Sequence, residues 1–168
     1  MSFVFDTRRE SPVMSKATLV PLLLFMASLL PGQDGALDEL AAEDPCSIRV
    51  FSAVKTYQPG VSFQVGVLVE PDAGWHGYWH SPRDGGDPPE AIWDLPEGWK
   101  VSGPDFPVPQ RIVEPGNLVS IGYKKPFLLR YRIHPASEVE AEETAVKVEI
   151  PLKIIWQVCK TTCIYGEN

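Results

Sequence analysis

The sequence predicts an antiparallel β-sandwich, and three observations predict it. Apolar residues recur at period two over three separate stretches, the pattern of half-buried strands. Pro and Gly number 17 and 13 in 168 residues, a density of breakers that a helical bundle does not tolerate and a turn-rich β fold does. The length suits one ordinary domain preceded by a processed leader, and is short for two. Apolar residues at 44% and charged residues at 22% exclude a disordered chain. Fifteen Lys and Arg against 22 Asp and Glu give a net charge of −7. An acidic surface cannot displace phosphate counterions, so no nucleic-acid partner is expected.

The first apolar run covers residues 17–30 and is interrupted by Pro21. It is shorter than the ~20 residues a membrane span requires and fits a secretory h-region. Lys16 and the Arg8-Arg9 pair supply the positive n-region, and Met14 offers an alternative start. Residues 1–33 are therefore expected to be a signal peptide with an N-terminal extension, with an uncleaved anchor as the alternative. The acidic, Ala-rich segment 34–45 reads as a linker, and 46–168 as the sandwich domain.

Within that domain Val61, Phe63, Val65, Val67 and Val69 alternate after the turn Gln58-Pro59-Gly60. Phe127, Leu129, Tyr131 and Ile133 alternate with Arg130 and Arg132 on the opposite face. The longest series is Val146, Val148, Ile150, Leu152, Ile154, Trp156 and Val158. Pro151 cannot donate to a ladder, so that strand is an edge there or bends. Residues 71–116 hold 9 Pro and 7 Gly, and are read as short strands joined by turns. The elements together argue a sandwich of immunoglobulin type. Ile164-Tyr-Gly-Glu-Asn168 reads as turn chemistry, so the domain is expected to lack a strand returning along the longest one.

Three cysteines follow the leader: Cys46, Cys159 and Cys163. In an oxidising compartment a thiol is paired or kept reduced for a purpose, and three is odd. Cα atoms four apart in an extended strand are separated by about 13 Å. A disulfide needs roughly 4.4–6.8 Å, so Cys159 and Cys163 pair only where the strand ends and the chain turns. Such a small ring on a sheet rim is exposed and open to reduction, and Lys160 within it favours a thiolate. The spacing equally allows a plain structural staple. Val158 ends the buried series, so Cys159 is expected close to the sandwich and Cys163 more accessible. Cys46 reads as a small buried hydrophobe.

Two further readings compete. Cys159 and Cys163 with His76 form a soft ligand set for Cu(I), with His80 four residues on. The segment Gly74-Trp-His-Gly-Tyr-Trp-His80 supplies either core, with Trp75 and Trp79 packed inward, or an aromatic platform for a ligand. The latter belongs to a secreted binding module whose disulfide is purely structural.

Several separated motifs occur in one order: Gly74-Trp-His-x-Tyr-Trp79, Pro82-x-Asp84-x-Gly86-x-Pro88-Pro89, Trp93-x-Leu-Pro96-x-Gly98, Phe106-Pro-x-Pro109, Gly122-Tyr123 and Trp156-x-Val-Cys159-Lys-x-x-Cys163. From about Ser47 to Tyr165 this resembles the N-terminal domain of the DsbD family of thiol:disulfide interchange proteins, including the related copper-sensitivity suppressor proteins. The resemblance implies an immunoglobulin-like sandwich in the periplasm. It implies a domain that passes reducing equivalents, received from a thioredoxin-like donor domain and a membrane-embedded electron-transfer partner, to oxidised periplasmic proteins. It also implies that Cys163 attacks and Cys159 resolves. Lys160, Trp156, Trp75, His76, Tyr78 and Trp79 then support the site, and no cofactor is expected. The chain departs from the family's usual residues at His80, Ser81 and Arg83, and its two cysteines stand closer together than in the best-known members.

Overall fold

The computed structural model describes residues 2–5, 44–137 and 147–168. The h-region, the linker up to residue 43 and Val146 lie outside the described residues. In chain order the strands begin with β1 (Ser2–Phe5), β2 (Cys46–Ser52), β3 (Phe63–Pro71) and β4 (Gly77–Arg83). Next come β5 (Glu90–Trp93), β6 (Lys100–Asp105), β7 (Gln110–Val113) and β8 (Val119–Tyr123). Then follow β9 (Phe127–His134), β10 (Val148–Cys159) and β11 (Cys163–Glu167). One turn of 3-10 helix at Pro115–Asn117 interrupts them. Every pairing is antiparallel, as the dense turns of the middle segment demand.

One sheet runs β2-β3-β9-β6. A second is centred on β10, which pairs with β1, β5 and β11. A third, β4-β8-β7, brings the aromatic segment after Gly74 to the end of β10. The first two sheets face each other. Ile48, Val67, Val69, Leu129 and Tyr131 from one pack in the same cluster as Leu152, Ile154, Trp156 and Val158 from the other. Each such side chain contributes ~1.5–3 kcal/mol by leaving water, so the alternating faces hold the sandwich together. The architecture is the antiparallel immunoglobulin-type sandwich expected from the sequence.

The alternating series locate their strands. In β9 every second side chain from Phe127 to Ile133 is buried, while Arg130 and Arg132 point out. In β10 the buried face runs from Ile150 to Val158. Pro151 stands opposite Ser2, the first described residue of β1. Val61 departs from its series: it is exposed, and it closes the turn through its N–H to Gln58 O at 3.0 Å. Residues 2–5, within the segment read as a leader, lie antiparallel to residues 148–151.

The tail corrects the sequence reading. Residues 163–167 form β11, the returning partner strand, with Trp156 opposite Gly166 and Cys159 opposite Cys163. Gly166 looked like a turn former but is a packing residue. A Cβ there would stand 2.1 Å from Cζ2 of Trp156, so only glycine lets β11 cross the indole. Asn168 completes the strand: its backbone exchanges two hydrogen bonds with Ile154, and its Oδ1 accepts from Trp156 Nε1 at 2.8 Å.

Candidate functional site

The site is built at the end of the β10–β11 hairpin. Cys159 and Cys163 face each other across the two strands, form a disulfide and bring their Cα atoms to 4.1 Å. Lys160, Thr161 and Thr162 form the exposed turn between them. On its other edge Cys159 exchanges two 3.0 Å backbone hydrogen bonds with His76. Cys159 therefore cannot leave the sheet without breaking both, and it is 2% exposed. Cys163 is exposed. The two sulfurs thus differ in the way the sequence leads one to expect, one fixed in the sandwich and one presented on its rim.

Tyr78 underlies the exposed sulfur, with its hydroxyl 4.0 Å from Cys163 Sγ. The ring is buried, and burial, then the charge of Glu114, pushes its phenol up to about 12. Asp84–Pro89 crosses above this ring. Gly86, at φ +84°, passes so close that a Cβ would stand 2.1 Å from Tyr78 Cζ. Its neighbours pin the crossing: Asp84 Oδ2 accepts from Val119 N–H at 2.9 Å, and Asp87 N–H donates to Gln157 Oε1. The Asp87 carboxylate accepts from Tyr165 O–H at 2.6 Å, which ties the same segment to β11. Behind Tyr78, Glu114 Oε1 accepts hydrogen bonds from Ser120 Oγ and, at 3.2 Å, from His76 Nε2.

The sequence-derived site residues divide into two groups. Cys159, Cys163, His76 and Tyr78 are brought together: the His76 backbone pairs with Cys159, and the Tyr78 hydroxyl lies 4.0 Å from Cys163 Sγ. Trp156 is buried and anchors β11, while Trp75 and Trp79 are half-buried against the core. The side chain of Lys160 runs back over Gly74. Glu114, Ser120, Asp87, Gln157 and Tyr165 were not singled out. Each reaches the site from a different strand or turn, so no local spacing signals it.

The copper set is differently engaged. The two sulfurs are bonded to each other, and the His76 ring is held by Glu114. His76 is buried whereas His80, within the stretch from Tyr78 to Arg83 where the β4–β8 register shifts, is not. His80 is exposed against Trp79 and Phe106. Among the described residues no cluster of three His, Cys, Asp or Glu is placed to hold a metal. Trp75 and Trp79 pack against the core. A cleft of about 530 Å³ beside the hairpin is lined instead by His80, Asp87, Trp93, Phe106, Tyr131 and Tyr165, among others.

Cys46 is buried at the start of β2, unpaired, and its thiol is pushed up to about 12, chiefly by burial. Cys46→Ala is therefore expected to leave disulfide exchange at its full rate. An exchange assay with that variant, folded but inactive, would contradict the assignment of the 159/163 pair.

Three comparisons bear on this geometry. The family model described as "Thiol:disulfide interchange protein DsbD, N-terminal" matches residues 47–168. No curated protein matches the chain. Among solved structures, the N-terminal periplasmic domain of ScsB from Proteus mirabilis is similar, with a TM-score of 0.53 and 19% identity. The match covers 77% of this chain and 46% of that one, so this chain spans under half the length of its structural counterpart. With the family match over most of its length and the Cys159–Cys163 disulfide inside it, the chain belongs to the family of DsbD N-terminal domains, a family of thiol–disulfide exchange.

Proposed function

We propose that this domain works in the periplasm as a carrier of reducing equivalents, through the Cys159/Cys163 pair. In the reduced form the Cys163 thiolate attacks one sulfur of a partner's disulfide, forming a mixed disulfide and releasing the partner's other sulfur as a thiolate. Cys159 then attacks Cys163 Sγ, reforming the internal disulfide and releasing the partner's second thiolate. Two thiols are oxidised here and one disulfide is reduced there. A thioredoxin-like donor, itself supplied from the membrane, returns the pair to the dithiol by the same exchange in reverse.

The observation that carries this reading is the asymmetry of the two sulfurs. Cys163 is exposed on the hairpin rim, while Cys159 is 2% exposed and held by two backbone hydrogen bonds to His76. A nucleophile needs an open approach, whereas a resolving thiol needs only to reach its neighbour. The ScsB domain is named as periplasmic, which supports the same compartment for this chain. Among the described residues no helix is long and apolar enough to cross a membrane.

The reduction potential of the pair tests the reading. Equilibration with glutathione buffers is expected to give a value above about −300 mV, in the range of exchanging disulfides. A lower value would mark a structural staple and contradict the carrier.

A further inference from the structure

The cleft beside the hairpin takes no part in the exchange steps above, yet it adjoins the exchange site. Its walls draw on β5 and β6, both at sheet edges. β6 is the last strand of its sheet, and β5 pairs with β10 on one side and, among the described residues, with no strand on the other. Open strand edges take up an added extended segment through its backbone, and pockets beside them receive its alternate side chains. The volume of about 530 Å³ lies within the roughly 300–1,000 Å³ of binding clefts.

The walls are apolar at Trp93, Val101, Phe106 and Tyr131. Trp93 Nε1 is buried and donates to no acceptor among the described residues. A buried indole N–H calls for an acceptor, which a carbonyl of an entering backbone supplies. The charged residues of the walls are Asp87 and Glu90, both exposed, and no Lys or Arg lines the cleft. Glu90 belongs to none of the ion pairs among the described residues. Asp87 accepts from Tyr165 O–H, and its carboxylate keeps further lone pairs for a cation. Lys153, on β10, is bonded to Glu167 instead. His80 lies against Trp79 and Phe106.

Tyr165 joins the cleft to the disulfide. It lines the cleft, and Cys163 stands two residues before it on the same face of β11. Two residues of extended strand span about 7 Å, so a chain whose cysteine meets Cys163 reaches the cleft within about two or three residues.

We propose, resting on the carrier reading, that this cleft docks an extended segment of the oxidised partner that adjoins its disulfide, with apolar side chains against Trp93 and Phe106 and a Lys or Arg against Asp87 and Glu90. The contact selects partners by charge and speeds their encounter, while the exchange itself stays with Cys163 and Cys159.

The test is a calorimetric titration of the oxidised full chain with a short cysteine-free peptide of alternating valine and arginine, beside the same peptide with glutamate for arginine. The arginine peptide is expected to bind at least about tenfold more tightly. Glu90→Lys is expected to weaken that binding about tenfold and to strengthen binding of the glutamate peptide. Glu97→Lys makes the same change in net charge at an exposed residue outside the cleft, and is expected to shift binding by less than about twofold. Should Glu90→Lys disturb β5, Asp87→Asn, which keeps an acceptor for Tyr165, carries the same expectation for the arginine peptide at smaller size. Equal binding of the two peptides, binding of neither, or equal loss in Glu90→Lys and Glu97→Lys would overturn the proposal. The arginine peptide is also expected to slow adduct formation between reduced Cys159→Ser and an oxidised thioredoxin-like domain, and an unchanged rate would overturn the assignment to the partner. The titration uses neither thiol, so failure of the carrier reading, seen as no adduct with either cysteine variant, is read separately.

Discussion

Trp156→Ala is expected to cost about 3–5 kcal/mol of stability, a large share of what a domain of this size has. The indole is 1% exposed between the facing sheets, within the cluster that includes Val67, Leu129 and Tyr131. Its removal leaves a cavity that close-packed neighbours refill only in part. The loss also reaches the site. Gly166 lies against the indole, and Asn168 accepts its N–H, so β11 is fastened to β10 at this residue as well as by the ladder. Cys163 and Tyr165 are carried on that strand. Urea unfolding of the oxidised protein checks the magnitude, and a loss below about 1 kcal/mol would mean that Trp156 is not the anchor described.

Much of the sandwich was legible because burial on one sheet face writes itself as period two. Phe127 to Ile133 and Ile150 to Val158 are such series, and both are strands with the expected faces inward. β11 was not legible, for a physical reason. It offers five residues, one of them glycine, and its reason for being a strand lies in Trp156 ten positions earlier. Its glycine is demanded by a neighbour's bulk and not by a turn.

The site divides similarly. Cys159 and Cys163 were legible from spacing, since a four-residue separation can close only around a turn, and the structure closes it there. Glu114 was not, because it is 38 residues from His76 and 36 from Tyr78 in the chain, and only the β4-β8-β7 sheet brings them together. His76 was read from sequence as scaffold or metal ligand. Its backbone tie to Cys159 and its ring contact with Glu114 come from the meeting of two sheets, which no local pattern records.

Cys163→Ser is expected to abolish capture of partner proteins, the largest functional effect of any single change. The remaining Cys159 is 2% exposed, so an incoming disulfide has no open path along which to be attacked. Cys159→Ser should do the opposite. Its exposed Cys163 can still form a mixed disulfide, and no second thiol remains to release the partner. Neither variant should turn over. The decisive measurement is the yield of mixed disulfide formed by each reduced variant with an oxidised thioredoxin-like domain, read on a non-reducing gel. The carrier account predicts abundant adduct with Cys159→Ser and little or none with Cys163→Ser. Adduct mainly with Cys163→Ser would reverse the roles of the two sulfurs, and none with either would contradict the account.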